Sequence, residues 1–246
     1  MPSENSFADR IGRFVLLKEA CESMVPAYVP LDADITIASQ ISLITTLNTC
    51  CTNVNNAATD LKDVADPRAA SIKVIQERVT RAVSRVGSNR AWAGKLPAVK
   101  MAADKVRGMK PPRPVPLPVP TDPDAPVPKK RDRGGRSFRD IEGHLGKFVA
   151  ALLKCPGYDT GAPGDIQTIM LSSLQGTLRT ANDTVPEKEI ALQDAQIDRL
   201  RIFASKKPLA DGSASLQNRW VRIKKAVAAQ YGRSSAEYAL VSPIKY

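Results

Sequence analysis

The chain is poor in the residues on which most catalytic and metal chemistry depends. Of its 246 residues one is a histidine, His144, and four are cysteines, Cys21, Cys50, Cys51 and Cys155. No two cysteines stand in a C-x-x-C pair, so the usual zinc spacings are excluded. His144 lies next to Leu145 in an amphipathic stretch and reads as a boundary residue, not a catalyst. The adjacent Cys50 and Cys51 read as small core residues, because a free thiol packs as a small hydrophobe. Neither G-x-G-x-x-G nor G-x-x-x-x-G-K-[ST] occurs, and the nearest glycine run, RDRGGR, lacks a strand-loop-helix setting. The acid pairs Asp32/Asp34 and Glu187/Glu189 fall at helix starts, where capping accounts for them. These absences argue against an enzyme: no catalytic, cofactor-binding or metal-ligating residue is expected.

Long apolar runs are missing too. No window holds about 18 uninterrupted apolar residues, so no membrane-spanning helix is expected. The opening MPSENSFADRIGR has neither a basic start nor an apolar core, so no secretory signal is expected. That points to the cytoplasm, or to an assembly exported by another route. Hydrophobic residues make up 43% of the chain, enough for folded domains and too many for wholesale disorder. The net charge of +11 is spread out: residues 1–110 carry +4, residues 111–136 +3 and residues 137–246 +4. A dedicated nucleic-acid domain more often concentrates its charge on one surface.

What the chain does have is an internal match at a shift of 131 residues. Ser6, Phe7, Asp9 and Gly12 register with Ser137, Phe138, Asp140 and Gly143. Asp34-Ile35 meets Asp165-Ile166. Ser42, Leu43, Thr46, Leu47, Thr49 and Val54 meet Ser173, Leu174, Thr177, Leu178, Thr180 and Val185. Leu61 and Asp63 meet Leu192 and Asp194. After about 13 extra residues in the second half, RAVSRVG at 81–87 resembles KAVAAQYG at 225–232, and PAVK at 97–100 echoes PIK at 243–245. Matched blocks in one order point to a duplication.

Each half shows the same helical pattern. Phe7, Ile11, Phe14, Val15 and Leu17 recur at three-to-four spacing, as do Phe138, Ile141, Leu145, Phe148, Val149 and Leu152. Ser6 and Ser137 are the expected N-caps. A long second helix carries Leu43, Leu47, Cys50, Val54 and Leu61 on one face, matched by Leu174, Leu178, Ala181, Val185 and Leu192. Pro186 falls inside the second copy, where a continuous, bent helix is favoured over a fresh start capped by Thr184. A third helix carries Ile72, Ile75, Val79, Ala82, Val83 and Val86 up to Gly87, with Leu216, Trp220, Ile223, Val227 and Tyr231 up to Gly232 as its counterpart. No segment alternates like a strand. The expected fold is all-α: two tandem duplicated three-to-four-helix bundles, residues 1–110 and 137–246, joined by a proline-rich, basic linker at 111–136.

In the linker, residues 111–128 hold nine prolines. Such a stretch is stiff and extended, about 3.1 Å per residue. Pro114, Val115, Pro116, Leu117, Pro118 and Val119 alternate proline with apolar side chains and form a candidate strap for a partner, beyond a plain spacer. Lys129, Lys130 and Arg131 follow as a candidate phosphate-contacting patch, with a basic hinge as the plainer reading. Arg78, Arg81 and Arg85 are spaced along one helix face, and Lys224-Lys225 form another basic pair; both could meet phosphates. No aromatic interleaving or DNA-reading motif accompanies them.

The closing YGRSSAEYALVSPIKY and the stretch APGDIQTIMLSSLQGTLRTAN resemble an uncharacterised bacterial family of small helical-bundle proteins. That family ends in F-G-x-x-S-x-x-Y-x-x-V-x-x-I-K-F. Gly232, Ser235, Tyr238, Val241, Ile244 and Lys245 match it, with Tyr231 and Tyr246 in place of phenylalanines. The family's helix start departs here, with Ala162-Pro163 for Asn-Pro. The resemblance implies a helical bundle and a bacterial source, and no activity. The expected role is a non-enzymatic structural or scaffolding protein working through helix-face contacts with itself or other proteins, as an oligomer, filament or lattice. The alternative is a basic nucleic-acid-associated protein.

Overall fold

A computed structural model of the chain describes residues 4–108, 137–205, 209 and 212–246. The candidate strap Pro114, Val115, Pro116, Leu117, Pro118 and Val119, and the basic Lys129, Lys130 and Arg131, lie outside the described residues. Among the described residues the fold is all-helical, with no strand. The helices are α1 (Glu4–Glu22), α2 (Ile37–Ser88), α3 (Leu96–Val106), α4 (Phe138–Leu152), α5 (Thr168–Ala204), α6 (Leu216–Tyr231) and α7 (Ala236–Val241). Short 3-10 turns at Ala33–Ile35, Arg90–Trp92 and Gly164–Ile166 precede α2, α3 and α5.

The element starts keep the sequence shift. Ala33 and Gly164 open the 3-10 turns, and Ile37 and Thr168 open the long helices, each pair 131 apart. Beyond that the halves differ. The expected second and third helices of the first half are one helix, α2, of 52 residues. Pro67 lies inside it, but no glycine or loop residues stand between Leu61 and Ile72 to end it. The second half has the inserted stretch after Ala204, and there the helix breaks into α5 and α6. Gly212, at φ 80°, takes a left-handed turn in that insertion. α5 runs on through Pro186 without a break. The tail of the first half is a helix, α3, opened by Pro97 at its first turn.

The caps explain the starts. Ser137 accepts from the Asp140 amide while the Asp140 carboxylate accepts from the Ser137 amide, a reciprocal capping box. Ser215 and Ser235 cap α6 and α7 in the same way with one bond each. Ser6 is not a cap: α1 already begins at Glu4. Gly232, at φ 90°, ends α6.

The packing divides the chain into two compact units. The first is Met1–Leu61 with Lys188–Tyr246; the second is Lys62–Glu187. This is not the division at the linker expected from the sequence. Each unit combines the opening of one half with the close of the other. The core of the first unit joins Phe7, Phe14, Leu17, Leu43 and Leu47 to Phe203, Leu216, Trp220, Ile223 and Val227. The core of the second joins Ile75, Val79, Val86, Trp92 and Val99 to Leu145, Phe148, Leu152, Leu171 and Leu178. The last helix before the linker, α3, and the first after it, α4, pack on each other inside the second unit.

The expected stripes are buried at Leu43, Leu47, Cys50 and Val54, and at Leu178 and Val185. Leu61, Leu174, Ala181 and Leu192 are only partly covered.

Candidate partner-binding surfaces

Two surface features of the first unit stand out, and both are held by the C-terminal half of α6. The first is the loop between α1 and α2, carrying Val25, Pro26, Ala27, Tyr28, Val29, Pro30 and Leu31. Its backbone is fixed. The Gln230 amide nitrogen donates to the Ala27 carbonyl at 2.8 Å, and the Gln230 side-chain oxygen accepts from the Val29 amide at 3.0 Å. The Tyr231 hydroxyl donates to the Pro26 carbonyl. The Tyr28 ring turns into the core, and burial pushes its phenol well above the usual range. Val25, Val29 and Leu31 point the other way and are 81%, 70% and 107% exposed. Apolar side chains this exposed on a fixed backbone are unusual for surface that faces only water.

The second unit holds its equivalent loop by the same logic but fills it differently. Arg85 donates to the carbonyls of Tyr158 and Thr160 at 3.1 and 2.8 Å, and Trp92 Nε1 donates to the Pro156 carbonyl at 3.1 Å. Asp159 accepts from the Thr168 amide and hydroxyl at 2.8 and 2.6 Å. That loop shows polar and glycine residues, Asp159, Thr160 and Gly161, where the first shows valine and leucine.

The second feature is an open groove of about 620 Å³ between α6 and the C-terminal segment. Lys224, Lys225, Arg233 and Lys245 line it, with Trp220, Tyr238 and Tyr246 and no Asp or Glu side chain. Lys224 is committed to structure: its ammonium donates to the carbonyls of Ser242 and Ile244, and burial lowers its pKa. Lys225, Arg233 and Lys245 are exposed and make no ion pair among the described residues. Tyr246 stands edge-on to Trp220, 5.8 Å between centroids, and Arg10 lies 4.7 Å over its ring.

Of the basic residues singled out in the sequence, the structure brings Lys224 and Lys225 into this groove and puts the α2 arginines elsewhere. Arg81 is ion-paired with Asp165. Arg85 is spent on the Tyr158–Thr160 loop and lies near the Trp92 and Tyr158 rings. Arg78 has one guanidinium nitrogen buried without a partner. Their helix face is therefore largely an internal contact and not an open row of cations. The sequence reading missed Arg233 and Lys245, which reach the groove only because α7 and the C-terminal segment fold back along α6. Val25, Val29 and Leu31 lie between helices and carry no periodic or motif signal in the sequence; only their exposure in the fold marks them.

His144 is partly buried, and its Nδ1 has no hydrogen-bond partner. Among the described residues no group of His, Cys, Asp and Glu could hold a metal ion, and no helix is long and apolar enough to cross a membrane. No protein-family model, curated protein or solved structure matches the chain.

Proposed function

We propose that the chain is a non-enzymatic scaffolding protein, built by tandem duplication of a helical module, that assembles with further copies of itself. The observation that carries this reading is the fixed loop presenting Val25, Val29 and Leu31 to solvent. An exposed stripe on α5, Ile190, Ile197 and Leu200, adds a helix face at heptad-like spacing. The two units differ at the loop, apolar in one and polar in the other, so the first loop is a contact surface the second unit does not repeat; where it meets a different surface of the next copy, the contact is head-to-tail. Head-to-tail contacts that do not close give filaments or lattices.

Light scattering across a concentration series tests the reading. The native chain is expected to gain mass with concentration. Val29→Asp and Leu31→Asp are expected to suppress that gain without loss of helix content, since both side chains already face water. A native chain that stays monomeric throughout, or variants that assemble as well as the native chain, would sink it.

The basic groove favours a second reading, a nucleic-acid-associated protein. Exposed cations, Lys225, Arg233 and Lys245, gathered along one groove with no Asp or Glu side chain lining it suit a phosphate backbone. Binding of a single-stranded oligonucleotide should then weaken steeply with salt and with Lys225→Ala plus Arg233→Ala. Absence of binding at low salt removes this reading and leaves the first untouched.

A further inference from the structure

Neither half of the sequence contains a whole core. Residues 4–61 supply one side of the first unit and residues 188–246 the other; residues 62–108 and 137–187 do the same for the second. The polar and aromatic contacts follow this division. In the first unit Phe7 stands edge-on to Phe203 at 4.8 Å, and Phe14 lies 5.8 Å from Trp220. Buried Arg219 reaches from α6 to the first half, donating to the Asp34 carbonyl at 3.0 Å and the Ser39 hydroxyl at 2.6 Å. Arg222 pairs with Asp32 and Asp34. In the second unit Trp92 lies 5.9 Å from Tyr158, and Arg81 pairs with Asp165.

The contacts are reciprocal at the sequence shift. The Arg199 guanidinium of the second half lies 4.1 Å over the Phe7 ring of the first. The Arg68 guanidinium of the first half lies 3.9 Å over the Phe138 ring of the second. Arg68 and Arg199 are 131 apart, as are Phe7 and Phe138. Asp34 and Asp165, also 131 apart, each pair with an arginine of the other half, Arg222 and Arg81, although these two arginines are not equivalent positions of the repeat. Each half therefore gives the other the same kind of cover that it receives.

We infer that the two halves are obligate folding partners: each is an interaction surface whose occupant is the complementary half, and the covalent linker is not what holds them together. Alone, the first half would expose Phe7, Phe14, Leu17 and Leu47, all fully buried in the whole chain, and the second would expose Phe148, Leu216 and Trp220. The linker follows α3 and precedes α4 in the sequence, both of them helices of the second unit, and the core residues of both units described above lie outside it.

The test is to place a site-specific protease sequence in the linker of the full-length protein, fold it, and cut it. A variant with the site near Pro111 and another with it near Pro128 guard against an insertion that fails to fold. The cut protein is expected to elute as one species of the uncut mass, with unchanged helix content by circular dichroism. Its thermal midpoint should then fall on about tenfold dilution while that of the uncut protein stays fixed, because unfolding now also separates two chains. Two fragments that elute apart, or a cut protein whose midpoint ignores dilution, would overturn the inference. Neither result bears on the Val29 and Leu31 variants, so the two readings fail separately.

Discussion

Gly12 and Gly143 occupy the same place in α1 and α4, both exposed in mid-helix and both with nothing within 4 Å of where a Cβ would stand. Neither has a positive φ, so neither position needs glycine. Gly12→Ala and Gly143→Ala are each expected to stabilise the protein by about 0.5–1 kcal/mol, read as a higher urea midpoint. Gly146→Ala should gain less, because its Cβ would stand 2.7 Å from the Gln175 amide, which must first move. The buried thiols give a pH prediction. Burial pushes both Cys21 and Cys50 from 9.0 up to about 12; Glu22 adds to the first shift and Cys51 to the second. Their folded values lie above the unfolded ones, so the stability at stake is fully present below about pH 9 and is lost as pH rises toward 12. The thermal midpoint is expected to fall across that window, and Cys21→Ala should make the fall shallower. A midpoint flat from pH 9 to 12 would contradict it.

The helical elements were the most legible feature of the chain. The three-to-four spacing of Phe7, Phe14 and Leu17, and of Leu145, Phe148 and Leu152, marks faces that are in fact buried. Ser137 was readable as a cap because Asp140 follows at the right distance. The fusion of the expected second and third helices into α2 was not legible. Local pattern cannot tell two collinear helices from one, and the polar stretch around Pro67, between the two apolar patterns, continues the helix instead of ending it. The groove was half legible. Lys224 and Lys225 are neighbours in sequence, whereas Lys245 and Arg233 join them through the return of α7 along α6, a tertiary event that no periodicity encodes. The α2 arginines show the converse. Their spacing was read correctly as one helix face, but whether a face meets water or a carbonyl row depends on what packs there, and here Arg85 meets the Tyr158–Thr160 loop.

The whole molecule turns on which segments complete which core. A shift of 131 residues locates equivalent positions but does not say whether a copy packs on itself or on its twin. α2 decides it: its 52 residues are shared between the units, 37–61 in the first and 62–88 in the second. Its two ends must therefore sit in different cores, and the second half, with α5 placed the same way, must finish both. An architecture of this kind can be completed between chains as well as within one. The half that covers Phe7 and Phe14 can come from a second copy, with the same contacts and only the linker rerouted. Refolding at high concentration is thus expected to give a dimer alongside the monomer. That dimer should have unchanged helix content and should persist on dilution, because exchange requires both cores to open. Chromatography before and after dilution reads the outcome. A dimer that dissociates within minutes would mark a surface contact, such as the one proposed for the Val25–Leu31 loop, instead of exchanged halves. Val29→Asp distinguishes the two, since it should abolish a loop contact and leave exchange intact.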